Sequence, residues 1–111
     1  MIKTYVHDIN YLFGQVHKWA DSRGLLSNGD ANRQMLKVIE EIGELAGSMA
    51  KKKDEDIVDA IGDSFVTLII LSHQLGHDPD RCLYHALGEI SGRNGRMIDG
   101  VFIKSNDESN N

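Results

Sequence analysis

Between Lys37 and Asp63 the chain twice sets carboxylates along one side of an otherwise apolar helical pattern. The first stretch reads Lys37-Val38-Ile39-Glu40-Glu41-Ile42-Gly43-Glu44-Leu45, and the second ends Asp59-Ala60-Ile61-Gly62-Asp63. At about 100° per residue, with Glu40 as origin, Glu44 lies at about 40°, Lys37 at about 60° and Glu41 at about 100°. Val38, Ile39, Ile42, Leu45, Ala46 and Met49 fill the arc from about 140° to about 260°. With Asp59 as origin, Asp63 falls at about 40° and Asp56 at about 60°, opposite Ile57, Val58, Ile61, Phe65 and Leu68. The pattern predicts two helices that share one core and each carry an acidic stripe. Carboxylates this close repel one another unless positive charge sits among them. A hard divalent cation such as Mg²⁺, which prefers oxygen ligands, meets that need.

The 111 residues suffice for one domain, with a core small enough that association with another copy would help it. A net charge of −5 argues against a general nucleic-acid binder. The acids concentrate between Glu40 and Asp63, whereas the segment from Arg81 to Lys104 is relatively basic, a division suited to a metal-and-phosphate site. Cys82 stands alone, which excludes a disulfide framework and points to a reducing cytoplasm. The first eight residues contain no apolar core of signal-peptide length. The longest strongly apolar run, Phe65 to Leu71, is too short to cross a bilayer. The expected setting is cytoplasmic, away from membranes.

Along the chain, Ile9, Leu12, Phe13, Val16 and Ala20 recur at helical spacing and predict a first helix from Thr4 to Arg23, stopped by Gly24. Gly24 to Gly29 reads as a loop with an Asn28-Gly29 turn signal. Asp30 is an N-cap for a second helix reaching Lys51, where Lys51-Lys52-Lys53 complements the helix dipole. Asp54-Glu55-Asp56 opens a third helix, apolar almost all round from Phe65 to Leu71 and ended by Gly76. A helix without a polar face must be covered on every side, so it is expected to sit centrally and to meet a second subunit. Asp78-Pro79 starts a fourth helix that runs to Ser91. Gly92 to Arg96 is a glycine-punctuated basic loop. Met97 to Lys104, with Asp99-Gly100 between short apolar runs, is a small hairpin or an extended flap. A single helical domain over residues 1–104 and a polar, disordered tail over 105–111 complete the expected organisation. The fold class is all-α, four-helix-bundle-like.

Two metal chemistries suit inward carboxylates in a helical bundle. Di-iron bundles use a Glu-x-x-His pair on each of two helices, and no histidine here has Glu three residues before it. An all-oxygen site for Mg²⁺ or Mn²⁺ is therefore favoured. His73 and His77, one turn apart, read as a solvent-facing helix end in preference to a soft-metal pair. Cys82 has no adjacent His or Lys to activate it. Phosphate-loop and serine-elbow motifs are absent. Ordinary amphipathic helices also turn charges to water. Against that plain reading, the second stripe lies on a helix too apolar for a surface element. Gly43 and Gly62, each costing about 1 kcal/mol of helix propensity, hint at close helix approach near the carboxylates.

Glu40-Glu41-Ile42-Gly43-Glu44-Leu45-Ala46 followed by Asp59-Ala60-Ile61-Gly62-Asp63 resembles the MazG-like branch of the all-α nucleoside triphosphate pyrophosphatases. That superfamily carries Glu-Glu-x-x-Glu on one helix and Glu-x-x-Asp on the next. The resemblance extends upstream to Trp19-Ala20-Asp21-Ser22-Arg23-Gly24-Leu25 and Gln34-Met35-Leu36-Lys37, and downstream to the stretch from Gly92 to Phe102. One departure stands out: the family pattern places Glu where this chain has Ala60. Asp59 is the nearest replacement, and Asp56-x-x-Asp59 is a second way to meet the spacing.

The resemblance implies an all-α NTP pyrophosphatase fold completed by dimerisation, as a homodimer or homotetramer. It implies that Glu41, Glu44 and Asp63 hold Mg²⁺, with Asp59 as fourth ligand, and that Glu40 is a further ligand or orients the attacking water. Glu40 and Glu41 are thus the catalytic candidates. The implied reaction hydrolyses the α–β phosphoanhydride of a (deoxy)nucleoside triphosphate to the monophosphate and pyrophosphate, removing unwanted or excess nucleotides. Phosphoribosyl-ATP pyrophosphatase, of the same superfamily, is less similar in the flanking motifs. Lys37, Arg93, Arg96 and Lys104 are candidates for phosphate oxygens. Trp19 is a candidate for stacking on a base, and Asn32, Gln34 and Asn94 for base or sugar hydrogen bonds. The alternative is a non-catalytic helical module that binds nucleotide or a partner protein through a degenerate site, which Ala60 keeps open.

Overall fold

The computed structural model describes residues 7–105. Helix α1 (Ile9–Ser22) starts where the Asp8 carboxylate accepts the Asn10 N–H at 2.8 Å, an N-cap that satisfies one of the donors a helix start leaves open. Thr4 to Val6, with which the sequence reading opens this helix, and the tail beyond Ser105 lie outside the described residues. Gly24 turns the chain through a positive φ of 77°, open to glycine at no steric cost. The segment read as a loop then closes into one helical turn, α2 (Leu25–Asn28), its Asn28 N–H bonding the Gly24 carbonyl at 2.9 Å. That correction reflects a segment too short to show a period. Gly29 accepts no side chain, because a Cβ there would run into the Leu25 carbonyl and the Gln74 amide.

Asp30 caps α3 (Ala31–Lys51) by accepting from the N–H groups of Asn32 and Arg33 at 2.9 and 3.3 Å. Lys52, at φ 57°, ends it in the left-handed conformation. Only Lys52 and Lys53 separate it from α4 (Asp54–Gln74), whose first turn holds Asp54, Glu55 and Asp56. So short a link forces the two helices into an antiparallel hairpin. At the far end Gly76 takes φ 82°, and the Ser72 hydroxyl donates to the His77 carbonyl at 2.6 Å. Helix α5 (Pro79–Ser91) matches its expected bounds. Strands β1 (Gly95–Ile98) and β2 (Val101–Lys104) pair antiparallel with Ile98 opposite Val101. Asp99 and Gly100, at φ 51° and 79°, form the two-residue turn of a type I′ hairpin, which settles the choice between hairpin and flap. The chain is predominantly helical, as expected, with the two-stranded sheet as an addition.

The chain divides into two compact units, one through Asp80 and one from Arg81. In the first, α3 and α4 make the most extensive contact, and α1 and α2 pack on α4. The covered residues of α3 are Ala31, Gln34, Val38, Glu41, Leu45 and Ser48, spaced alternately three and four apart. On α4 the matching row is Ile57, Ala60, Ser64, Thr67, Leu71 and Gln74. This 3.5-residue period is that of a coiled-coil seam. Several polar members of the seam donate hydrogen bonds, although Glu41 Oε2 and Gln74 Oε1 are buried without a partner. The Gln34 amide donates to the Thr67 carbonyl at 3.1 Å, Ser64 to the Ala60 carbonyl at 2.8 Å, and Gln74 to the Leu25 carbonyl at 3.0 Å.

One position after the seam residues the side chains are apolar except at Asn32 and Ser72: Met35, Ile39, Ile42, Ala46 and Met49 on α3, and Val58, Ile61, Phe65, Leu68 and Leu75 on α4. One position before, α3 carries Lys37, Glu40 and Glu44, and α4 carries Asp56, Asp59 and Asp63. Flanks of the same sense lie on the same side of an antiparallel pair, so the hairpin has an acidic side and an apolar side. The expectation that α3 turns Ile39, Ile42 and Met49 into the chain's own core is corrected. Ile39 and Ile42 are 57% and 51% exposed, and Phe65 and Leu68 on α4 are 60% and 53% exposed. Ile69, Ile70 and Leu71 are buried.

In the second unit, no side chain of α5 is buried, and Leu83, Tyr84, Leu87 and Ile90 are exposed. A cap of Asp30's kind contributes about 1 kcal/mol. Asp30→Ala is therefore expected to lower unfolding stability by about that amount in urea titration, with an unchanged m-value. An unaltered midpoint would deny the cap its role.

Candidate metal centre

Glu40, Glu41 and Glu44 each offer one carboxylate oxygen to a cluster whose atoms all lie within 4.8 Å of one another. One turn of α3 produces this grouping, since positions three and four apart share a face. Glu40 and Glu44 are exposed, while Glu41 occupies a seam position and is half-buried. Its Oε2 is shut off from solvent and has no hydrogen-bond partner. Burial, together with the negative charges of Glu44, Asp63 and Glu40, pushes the Glu41 carboxyl above the usual carboxylate range. Asp63 of α4 adds its negative charge to Glu41 but does not join the three-glutamate cluster. Lys37 stands 3.8 Å from Glu40 at the edge of the group, exposed and short of neutralising it.

These residues fit a hard divalent cation. All donors are carboxylate oxygens, which suits Mg²⁺ or Mn²⁺. Oxygens bound side by side on Mg²⁺ stand about 3 Å apart, a closing of the 4.8 Å cluster that side-chain rotation covers. The orphaned Oε2 of Glu41 is the second sign, because a buried acceptor without a partner is costly unless a cation or donor meets it. Asp59 is exposed, one turn before Asp63 on the same flank of α4, and Asp56 is exposed on that flank as well. Ala60 is 5% exposed and faces α3 within the seam. An acid at that position would start from the buried row, so the flanking Asp59 is the nearer carboxylate to the open acidic side.

The remaining candidates are dispersed. Gln34 is buried and spends its amide on the Thr67 carbonyl, a packing role. Trp19 is 48% exposed, with the Arg23 guanidinium 5.4 Å from its ring centroid. Asn32 is exposed in the first turn of α3. Arg93, Asn94 and Lys104 line one open cavity of about 700 Å³ within the second unit, with Gly88, Glu89 and Gly92. Arg96 sits on β1 opposite Ile103. The expected outward pair of His73 and His77 is corrected as well. His77 is exposed, but His73 is half-buried against His17 of α1. No spacing on one helix announces a contact between two.

No protein-family profile matches the chain, and no solved structure matches it. A relative from Haemophilus phage HP1, an uncharacterized 18.2 kDa protein of the rep-hol intergenic region, is 39% identical over 67 residues, 60% of this chain. The chain spans 41% of that protein's length. No helix among the described residues is long and apolar enough to cross a membrane.

A carboxyl whose pKa is raised by folding binds its proton more tightly in the native state, so ionising it opposes folding. Glu41 therefore lowers stability as pH rises from the ordinary glutamate value of 4.5 through its raised folded value. Without divalent metal, Glu41→Gln is expected to raise the melting temperature at pH 7.5 relative to the unaltered chain, and to lose that advantage below about pH 4. An equal gain at both pH values would assign the effect to packing.

Proposed function

We propose that the chain is a Mg²⁺-dependent nucleoside triphosphate pyrophosphohydrolase of the MazG-like type, cutting the α–β phosphoanhydride to release pyrophosphate. The observation that carries the reading is the half-buried Glu41. Glu41 belongs to a three-glutamate cluster, one of its carboxylate oxygens is shut off from solvent without a partner, and Asp63 of the neighbouring helix adds its charge. Structural acids turned to water do not need such a placement. The Glu-Glu-x-x-Glu and Asp-x-x-x-Asp stretches supply the same residues in sequence.

On this reading Glu41, Glu44 and Asp63 hold Mg²⁺, with Asp59 as the fourth ligand in place of the glutamate that Ala60 lacks. Bound there, the ion would neutralise triphosphate charge and acidify a coordinated water. The chain's own contribution is positioning. The exposed Glu40 is placed to orient the attacking water. Arg93, Asn94 and Lys104 gather the donors that phosphate oxygens require. The proposed role is removal of unwanted or excess nucleotides in the cytoplasm.

The fold proposed is the all-α pyrophosphatase bundle completed by a second copy, as a dimer or tetramer. The row of exposed Ile39, Ile42, Phe65 and Leu68 on the side away from the acids supports it. Sedimentation is expected to report an oligomer. Phe65→Glu, placing charge in that row, is expected to yield monomers. A monomeric unaltered chain would refute this part alone.

Pyrophosphate release from the eight common ribo- and deoxynucleoside triphosphates, with and without Mg²⁺, tests the reaction. The expected result is metal-dependent pyrophosphate, reduced at least about 100-fold in Glu44→Gln and Asp63→Asn. Orthophosphate as product would place the cut at the wrong bond. No product, with melting also unmoved by Mg²⁺ plus a nonhydrolysable triphosphate, would favour a partner-binding module.

A further inference from the structure

Where α1 meets the last turn of α4, two imidazoles touch. The rings of His17 and His73 stand edge to face, with centroids 4.4 Å apart and planes at 77°. Each histidine sits one helical turn from a buried residue, Ala20 on α1 and Ile70 on α4. An open cavity of about 510 Å³ is lined by both histidines together with Lys18, Asp78 and Asp80. All of these residues belong to the first compact unit. We propose that the His17–His73 contact is an acid-sensitive latch, which holds α1 on α4 while the rings are neutral and releases α1 as they become charged.

The contact itself sets the direction. Neutral aromatic rings attract in this arrangement, because the positive edge of one meets the negative face of the other. Imidazole is the side chain that gains charge just below neutral pH. A charge on a half-buried ring loses hydration, and charges on both rings at this separation repel. The surrounding groups divide. Lys18 adds positive charge to the cavity wall from α1, whereas Asp78 and Asp80, beyond the end of α4, favour a charged His73. Burial first, and the His17 ring second, outweigh the two aspartates and hold His73 below the ordinary imidazole value of 6.5. A folded state that resists the proton binds fewer protons than the unfolded chain. The stability of the contact is therefore complete above pH 6.5 and falls as pH drops through that value toward the lowered one. Glu41 on α3 acts with the opposite sign, losing stability as pH rises, so the two effects separate. Within this unit α1 meets only α4 and α2, while the α3–α4 contact is far more extensive. The smaller contact opens locally before the seam does.

Trp19, the single tryptophan, lies on α1 two residues beyond His17 and is 48% exposed. Its access to acrylamide therefore reports whether that helix is docked. Between about pH 7.5 and about pH 5 the bimolecular quenching constant is expected to rise about two-fold, as a half-covered indole becomes free. The helical circular-dichroism signal is expected to persist. His73→Phe, which keeps a ring that cannot be charged, is expected to remove the rise. Histidine-ring NMR of the unaltered chain, which needs no variant to fold, is expected to show His73 titrating below pH 6.5, in step with the change at Trp19. A quenching constant flat across the range, the same rise in His73→Phe, loss of the helical signal together with the rise, or His73 titrating at or above pH 6.5 would each overturn the latch.

Discussion

The α3–α4 seam is the contact on which the rest of the molecule depends. Its period of three and four residues runs from Ala31 to Ser48 on one helix and from Ile57 to Gln74 on the other. The two-residue link at Lys52 and Lys53 leaves the helices no alternative to lying antiparallel. Once the seam is set, every flanking position is assigned a side. Acids at Glu40, Glu44, Asp59 and Asp63 come to one side, and apolar residues from Met35 to Leu68 come to the other. The seam itself is weakly apolar for its length. Gln34, Ser48, Ser64, Thr67 and Gln74 occupy five of its positions, so hydrogen bonds such as Gln34 to Thr67 carry register where hydrophobic burial alone would not.

Glu41 is the exception that gives the seam its functional interest. A carboxylate in that row gives up water and gains like-charged neighbours, and both raise its proton affinity. Folding must carry that cost while the group is ionised. A chain selected for stability alone would place Leu or Ala there, as it does at Leu45 and Ala60. Strain of this kind concentrates where a bound cation or a proton transfer relieves it. The orphaned Oε2 and the raised pKa are thus two views of one desolvated oxygen.

Much of this was legible in the residues. Asp30 as cap, Pro79 as first helical residue and Asp99-Gly100 as turn are local signals, and local signals survive folding. The acidic grouping of Glu40, Glu41 and Glu44 follows from spacing on one helix. The orientation of α3 was less legible. A helical wheel reports the mean direction of apolar residues, which points through Ile39 and Ile42. The actual seam runs through Gln34, Val38, Glu41 and Leu45, rotated toward the acids. A helix with one partly polar covered row and a second, more apolar row has a mean that falls nearer the second. The contact of His17 with His73 was not legible at all, since it joins residues 56 positions apart through the packing of α1 on α4.

The same vector argument explains why α4 reads as apolar all round. Its covered residues form two rows: the seam, and Val66, Ile70 and His73, of which His73 meets His17 of α1. Its third apolar row, Ile61, Phe65 and Leu68, has no cover among the described residues. The acidic and apolar flanks diverge by a single residue step in opposite directions from one seam. A substitution that slips the seam by one position would therefore turn Glu44 and Asp63 inward and move Val38 and Leu45 out of the seam. Register in this hairpin and chemistry at its acidic side are one constraint, and the polar seam residues that fix the register belong to the site as much as the carboxylates do.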